Sequence, residues 1–265
     1  MKLVPENSTM LANLHTVVIN LDSSADRMAA TAARLNQLGL PFERFPAVDV
    51  RGVSLDSIGK YDRLQAMRTQ NRELLPGEVG CYLSHMGCLK RFLESGKKHL
   101  LVLEDDCDLP DDFVSIIAGI VELDSTGNLP DWDIVNLARS PRKFMRKLAT
   151  IRGKANTVEL VRAYYFPIVT TGLLWSQLGA QRYLDEWRSI TGPVDQVFRD
   201  IYSANGRGLA VVPNLVGARD VVSDIIQNKN YRYINPRTKG YYFFKHKKQL
   251  ALYAKIIPNF LLKRR

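Results

Sequence analysis

The chain has 265 residues, 46% hydrophobic and 24% charged, with a formal net charge of +10. That balance suits one α/β domain with a sizeable core and a short appendage, and excludes a disordered or repetitive chain. No run of 18 apolar residues and no leader-like N-terminus is present, and the three cysteines (Cys81, Cys88 and Cys107) are too few for a disulfide framework, so a cytoplasmic protein is expected.

The charge is unevenly placed. Residues 229–265 hold 11 Lys or Arg and no Asp or Glu, which leaves 26 basic and 27 acidic groups in the first 228. The sequence therefore divides into a near-neutral body, 1–228, and a basic, aromatic segment, 229–265. Such a segment suits an acidic lipid surface or an acidic saccharide. The neutral body and the lack of a recognition motif argue against nucleic acid.

His15–Asn20 reads as a buried strand, and Ser23-Ser24-Ala25-Asp26 as a capping box. Met28, Ala32, Leu35 and Leu38 then form an apolar helix face that ends at Gly39 and Pro41. Phe42–Val48 is a second strand, which completes the strand–helix–strand unit of a parallel sheet. Arg51–Pro76 reads as loop with a short helix, Gly77–Glu94 as a helix, and His99–Leu103 as a strand. Helices are expected at Asp112–Leu123, Ser176–Trp187 and Val194–Ala204, and strands at Asp133–Leu137, Tyr164–Trp175 and Leu209–Val212. Pro258 is expected to break any long C-terminal helix.

The strongest local signal for chemistry is Leu100-Leu101-Val102-Leu103-Glu104-Asp105-Asp106, a buried strand ending in three carboxylates. Parallel α/β sheets bind ligands beyond the carboxyl ends of their strands. Adjacent carboxylates stay ionised most easily around a cation, and an all-oxygen set favours Mg²⁺ or Mn²⁺ over zinc. In an extended segment Glu104 and Asp106 share one face and Asp105 the other. The plain alternative is a solvated acidic turn continued by Asp108, Asp111 and Asp112.

The second signal is Gly77-Glu78-Val79-Gly80-Cys81-Tyr82-Leu83-Ser84-His85, where two glycines permit close backbone approach before a helix start that suits anions. Cys81, His85 and Cys88 share a helix face but lack zinc-site spacing and a fourth ligand, so two small buried thiols beside a histidine are expected. Trp132, Trp175 and Trp187 are candidates for sugar stacking, with core packing the commoner fate.

Asn20-Leu21-Asp22 with Arg27, Ala47-Val48-Asp49, Gly77–His85 and Leu103-Glu104-Asp105-Asp106 follow one another as in glycosyltransferase family 25. The sequence resembles the lipopolysaccharide and lipo-oligosaccharide galactosyltransferases of that family over about residues 14–226. Gly192-Pro193-Val194-Asp195 and Pro213-Asn214-Leu215-Val216 with Ser223-Asp224-Ile225 resemble later family elements. Two stretches depart from the pattern: Asp49 is followed by Val50-Arg51-Gly52 rather than directly by glycine, and Thr170–Trp175 matches only loosely.

The resemblance implies a GT-A-type fold with a mostly parallel sheet, a UDP-sugar donor, inversion at the anomeric carbon, and Mn²⁺ or Mg²⁺ held by Glu104 and Asp106. Asn20, Leu21, Arg27, Asp49, Ser84, His85 and Asp105 are the expected donor-binding residues. Asp195 leads as the base that accepts the acceptor's proton, with helix capping as its plainer role, and Asp224 is the rival. The expected acceptor is a saccharide or lipid-linked saccharide, with the basic segment resting on the inner face of a bacterial inner membrane. A metal-dependent phosphohydrolase and a non-catalytic nucleotide-sugar or glycan binder are the alternatives.

Overall fold

The computed structural model describes residues 11–219 and 241–262. Asp224, with Ser223 and Ile225, lies outside the described residues, as does the compositional boundary near Lys229. The chain runs β1 (Leu14–Asn20), α1 (Ala25–Gln37), β2 (Glu43–Pro46), α2 (Arg63–Gln70), α3 (Pro76–Glu94), β3 (His99–Glu104), β4 (Cys107–Asp108), α4 (Phe113–Ser125), β5 (Ile134–Asn136), β6 (Met145–Arg152), β7 (Thr157–Ala163), β8 (Gly172–Ser176), α5 (Gln177–Glu186), α6 (Val194–Asn205), β9 (Gly208–Val212), β10 (Gly217–Ala218) and α7 (Tyr241–Leu262).

Eight strands form one sheet in the order β2-β1-β3-β8-β5-β9-β7-β6. Strands β7 and β8 run against the other six, so the sheet is mostly parallel in strand direction, as expected. Alternation along its strands feeds two cores. Val17, Leu100 and Val102 point to one face, under α3, α5 and α6, while Val18, Leu101 and Leu103 point to the other, under α1 and α4. Every residue of β3 up to Leu103 is buried, which is why the strand reads as an unbroken apolar run.

Several local expectations change. Ser24 makes no capping hydrogen bond; its hydroxyl accepts from Arg27 at 3.0 Å instead. Helix α3 begins at Pro76, so Gly77 and Gly80 lie inside it rather than before it. Its first turn is closed from within, because the Glu78 carboxylate accepts the Leu75 N–H at 2.8 Å. Gly80 is needed for contact: a Cβ there would meet the Val48 carbonyl oxygen at 2.3 Å.

The β6–β7 hairpin has no strong sequence signal, because β6 is an edge strand with scattered burial. Its turn is held by Asp112, whose carboxylate accepts the backbone N–H groups of Lys154 and Ala155 at 3.1 and 2.7 Å. Tyr164–Thr171 is irregular, and the strand begins only at Gly172.

Helix α7 continues through Pro258. Its inner face carries Leu252 and Ile256 against Tyr164, with Phe144 and Phe260 packed around them. Asn259 Nδ2 donates to the Ala204 carbonyl at 2.6 Å. This docking outweighs the one intrahelical bond that a proline removes near a helix end.

Candidate active site

The chain returns across β1 between β2 and β3, so the order of the sheet reverses there and a crevice opens beyond the carboxyl ends of β1 and β3. The cleft is lined by Asn20 and Leu21 after β1, Asp49 after β2, Gly77 and Cys81 of α3, and the Glu104–Asp106 turn after β3. Arg27 and Arg51 complete its polar rim, and Ser84, itself buried, backs its wall.

Asn20 is buried and ties the crevice together. Its Nδ2 donates to Asp105 Oδ2 at 2.6 Å and to the Ser24 carbonyl at 2.9 Å, and its Oδ1 accepts from Arg44 Nε at 2.9 Å. Asp105 points inward and also pairs with Arg27 at 3.3 Å. Both Asp105 oxygens are thus engaged by β1 and α1, a structural load that the sequence did not foreshadow. From behind, Thr31 Oγ1 donates to the Asp105 carbonyl at 2.9 Å, and Arg219 Nη2 to the same oxygen at 2.6 Å. The β4–β10 ladder and the Arg219 N–H to Asp106 carbonyl bond, 2.8 Å, fix the other side of the turn.

Glu104 points away from Asp105, toward α3. Thr170 Oγ1 donates to its Oε1 at 2.7 Å, and His85 Nε2 lies 3.4 Å from the same oxygen. Burial alone would raise its pKa, but His85, Thr170 and Arg27 together hold it below the usual carboxylate range. His85 is 1% exposed and lies edge-on to Phe198, so it positions Glu104 rather than lining the cleft. Ser84 is likewise committed, donating to the Gly80 carbonyl and accepting the Val48 N–H, both at 2.8 Å.

Asp106 differs from its neighbours. Its Oδ1 is buried and has no hydrogen-bond partner among the described residues. Burial, then the Glu104 and Asp105 carboxylates, pushes its pKa up to about 6. A buried carboxylate oxygen without a donor is expensive unless something positive meets it. The residues present therefore fit a hard divalent cation, with Asp106 and Glu104 as the oxygen donors. The rest of the acidic run does other work: Asp111 pairs with Arg34 at 2.7 Å, and Asp112 holds the hairpin turn.

Cys81, His85 and Glu104 form a second potential metal-binding group, their ligand atoms within 4.8 Å of one another. Cys88 is apart from it, buried in the core with a thiol pushed up by burial. All three cysteines are free.

Asp195 sits in the first turn of α6, which places it at a helix N-terminus. Burial raises its pKa; the backbone N–H groups of Gln196 and Val169 bond it and pull the other way, and Glu104 is close enough to add repulsion. Val169 has φ 95°, a strained value for a β-branched residue. Its carbonyl accepts from Asn136 Nδ2 at 2.9 Å, and the next residue, Thr170, holds Glu104. The strained residue thus links Asp195 to the acidic turn.

Asp49 is exposed at the rim and held down to about 2 by its hydrogen bonds with Arg51. Trp132 and Trp175 are buried, and Trp187 stacks on Tyr82, so none of the three lines the cleft. Thr31, Arg219 and the strained Val169 were not singled out by the sequence, and Thr170 only as the start of a loosely matching stretch, since only folding brings these separated positions to the turn.

Residues 13–198 match the family model described as glycosyltransferase family 25 (LPS biosynthesis protein). A glycosyltransferase 25 family member of Aedes aegypti is 30% identical over 176 residues, covering 65% of this chain and 28% of that protein. Procollagen galactosyltransferase 2 of Homo sapiens is 25% identical over 169 residues, covering 62% of this chain and 26% of that protein. The chain thus spans little more than a quarter of the length of these relatives. Among solved structures, a glycosyltransferase involved in the glycosylation of the major capsid of PBCV-1 aligns with a TM-score of 0.42 and 10% identity, over 79% of this chain and 94% of that one.

Proposed function

The chain belongs to glycosyltransferase family 25, and from that membership we propose that it is an inverting, metal-dependent hexosyltransferase moving galactose from a UDP-sugar to a saccharide of the lipo-oligosaccharide type. The observation that carries the reading is the unpartnered, buried Asp106 oxygen in a cleft at the switch point of the sheet. Galactose comes from the names of the relatives, which include procollagen galactosyltransferases.

Asp106 and Glu104 would hold Mn²⁺ or Mg²⁺, which when bound neutralises charge on a diphosphate leaving group. His85 and Thr170 keep Glu104 ionised and aimed. Asn20, Arg27 and Asp105 fix the floor on which a nucleotide would sit, with Leu21 and Asp49 at its mouth. Asp195 accepts the proton of the attacking hydroxyl, for which its raised pKa suits it better than an ordinary aspartate.

The deciding assay gives the purified protein with Mn²⁺ a panel of UDP-sugars, with and without truncated lipo-oligosaccharide, and follows UDP release. Acceptor-dependent release, greatest with UDP-galactose, is expected. Release that ignores the acceptor would point to a phosphohydrolase, and UDP binding without turnover to a non-catalytic binder.

Membrane contact is a further part of the proposal. No helix among the described residues is long and apolar enough to cross a bilayer. Phe243, Leu250, Ile257 and Leu261 are exposed and recur at spacings of seven, seven and four, which puts them on one outward stripe of α7. Opposite them, Leu252 and Ile256 pack on the body. An apolar stripe within a segment rich in lysine suits an anionic bilayer surface, each basic group adding about 1 kcal/mol. Sedimentation with phosphatidylserine vesicles is expected to carry the protein down at low salt and release it at high salt. Phe243→Ser with Leu250→Ser should abolish the effect; unchanged sedimentation of that variant would remove the stripe from the proposal.

A further inference from the structure

A second depression is lined by Gln196, the residue after Asp195 in α6. Gln70 at the end of α2, Ile168, Gln196 and Arg199 of α6, and Lys248 and Gln249 of α7 form its walls. Asp195 itself lines neither depression, but it interacts with residues that line both. On one side its charge is felt by Cys81, which lines the cleft, and it interacts with Glu104 there. On the other, it is bonded by Val169 and Gln196, and Gln196 and Ile168 line the second depression.

The walls carry the chemistry of a hydroxyl-rich ligand. The side-chain amides of Gln70, Gln196 and Gln249 offer both donors and acceptors, and Arg199 and Lys248 add donors. Three of these groups, Arg199, Lys248 and Gln249, are held in place. Arg199 Nε donates to the Phe166 carbonyl at 3.0 Å while its guanidinium lies 4.8 Å from the Tyr165 ring centre. Lys248 is 3.2 Å from Asp200, and Gln249 Nε2 donates to the Tyr253 hydroxyl at 2.6 Å. Side chains already fixed lose little entropy on binding.

We infer that this groove holds the acceptor saccharide and that α7, its outer wall, selects it. The inference rests on the transferase reading above. In the displacement, the acceptor hydroxyl oxygen forms a bond to the anomeric carbon. The bond from that carbon to the diphosphate oxygen breaks, its electron pair leaves with UDP, and the hydroxyl proton passes to Asp195. A base must lie within hydrogen-bond reach of that hydroxyl, and Asp195 adjoins the groove through Gln196, whose backbone N–H bonds its carboxylate. Helix α7 lies beyond the 13–198 region that matches the family, so this wall belongs to the chain's own C-terminal part. The groove-facing side of α7 is opposite its outward apolar stripe.

The test uses the full chain and saturation-transfer NMR, with lactose, N-acetyllactosamine and delipidated lipo-oligosaccharide core as probes. The native chain is expected to bind at least one of them. Lys248→Glu with Gln249→Ala should weaken that binding at least about tenfold, the scale of one hydrogen bond to a charged group. Gln70→Ala, on the opposite wall, gives the same readout if the double variant melts early. Equal binding by the native and variant chains, or binding of none of the probes, overturns the inference. Calorimetric titration of UDP separates the two readings. A chain that binds saccharide through α7 but takes no UDP keeps the groove and loses the donor cleft; one that binds UDP while saccharide binding ignores α7 loses the groove alone.

Discussion

Asp106→Asn is expected to cut turnover by about 10²–10³, the scale of losing one charge-stabilising element at a reacting centre. Chelation should abolish the activity of the native chain, and Mn²⁺ or Mg²⁺ should restore it. Full activity in excess chelator would remove the metal from the mechanism. The same substitution has a second, opposite effect. Burial and the Glu104 and Asp105 carboxylates raise the Asp106 pKa from 3.8 to about 6 in the folded chain. Without metal, ionising Asp106 therefore costs the fold free energy: nothing below about pH 4, an increasing amount through pH 4–6, and the full amount above. In chelator at pH 7.5 the asparagine variant should be the more stable protein by about 1–3 kcal/mol, with the difference vanishing near pH 4. Urea denaturation at the two pH values reads this directly. Loss of activity with gain of stability marks a site built for a ligand; loss of both would mark Asp106 as structural.

Asp195→Asn is expected to lower turnover by about 10²–10⁴, the range for a general base, while the Kd for UDP moves by less than about twofold. The geometry also permits a simpler role, because an aspartate in the first turn of α6 favours the helix dipole. In that case the substitution should lower stability by about 1 kcal/mol and leave the folded fraction active. Burial raises the Asp195 pKa, so the acid limb of the kcat/KM profile should lie at higher pH than an ordinary aspartate gives. A variant with native turnover and a lowered melting temperature would leave the proton acceptor unassigned, with Asp224 the next candidate.

The strand–helix–strand opening, the buried β3 run and the acidic turn were legible because each depends on local pattern. Apolar alternation sets which side chains a strand can bury, and Glu104-Asp105-Asp106 cannot continue a core strand. Helices α3, α5 and α6 lie within one residue of their expected bounds. The β6–β7 hairpin was not, because an edge strand with scattered burial has no apolar period to read.

Among the three adjacent carboxylates, sequence could say only that they share a strand end. Tertiary structure assigned them different circumstances. Asp105 is saturated by Asn20 and Arg27, Glu104 is aimed by His85 and Thr170, and Asp106 alone keeps a buried oxygen without a donor. The partners that separate the three come from β1, α1, α3 and the strand-entry segment at Thr170, tens of residues away along the chain. Proximity of that kind leaves no period or spacing in a sequence. It exists only once the sheet brings the carboxyl ends of β1 and β3 side by side, and the fields and hydrogen bonds that distinguish one carboxylate from the next act over only a few ångströms.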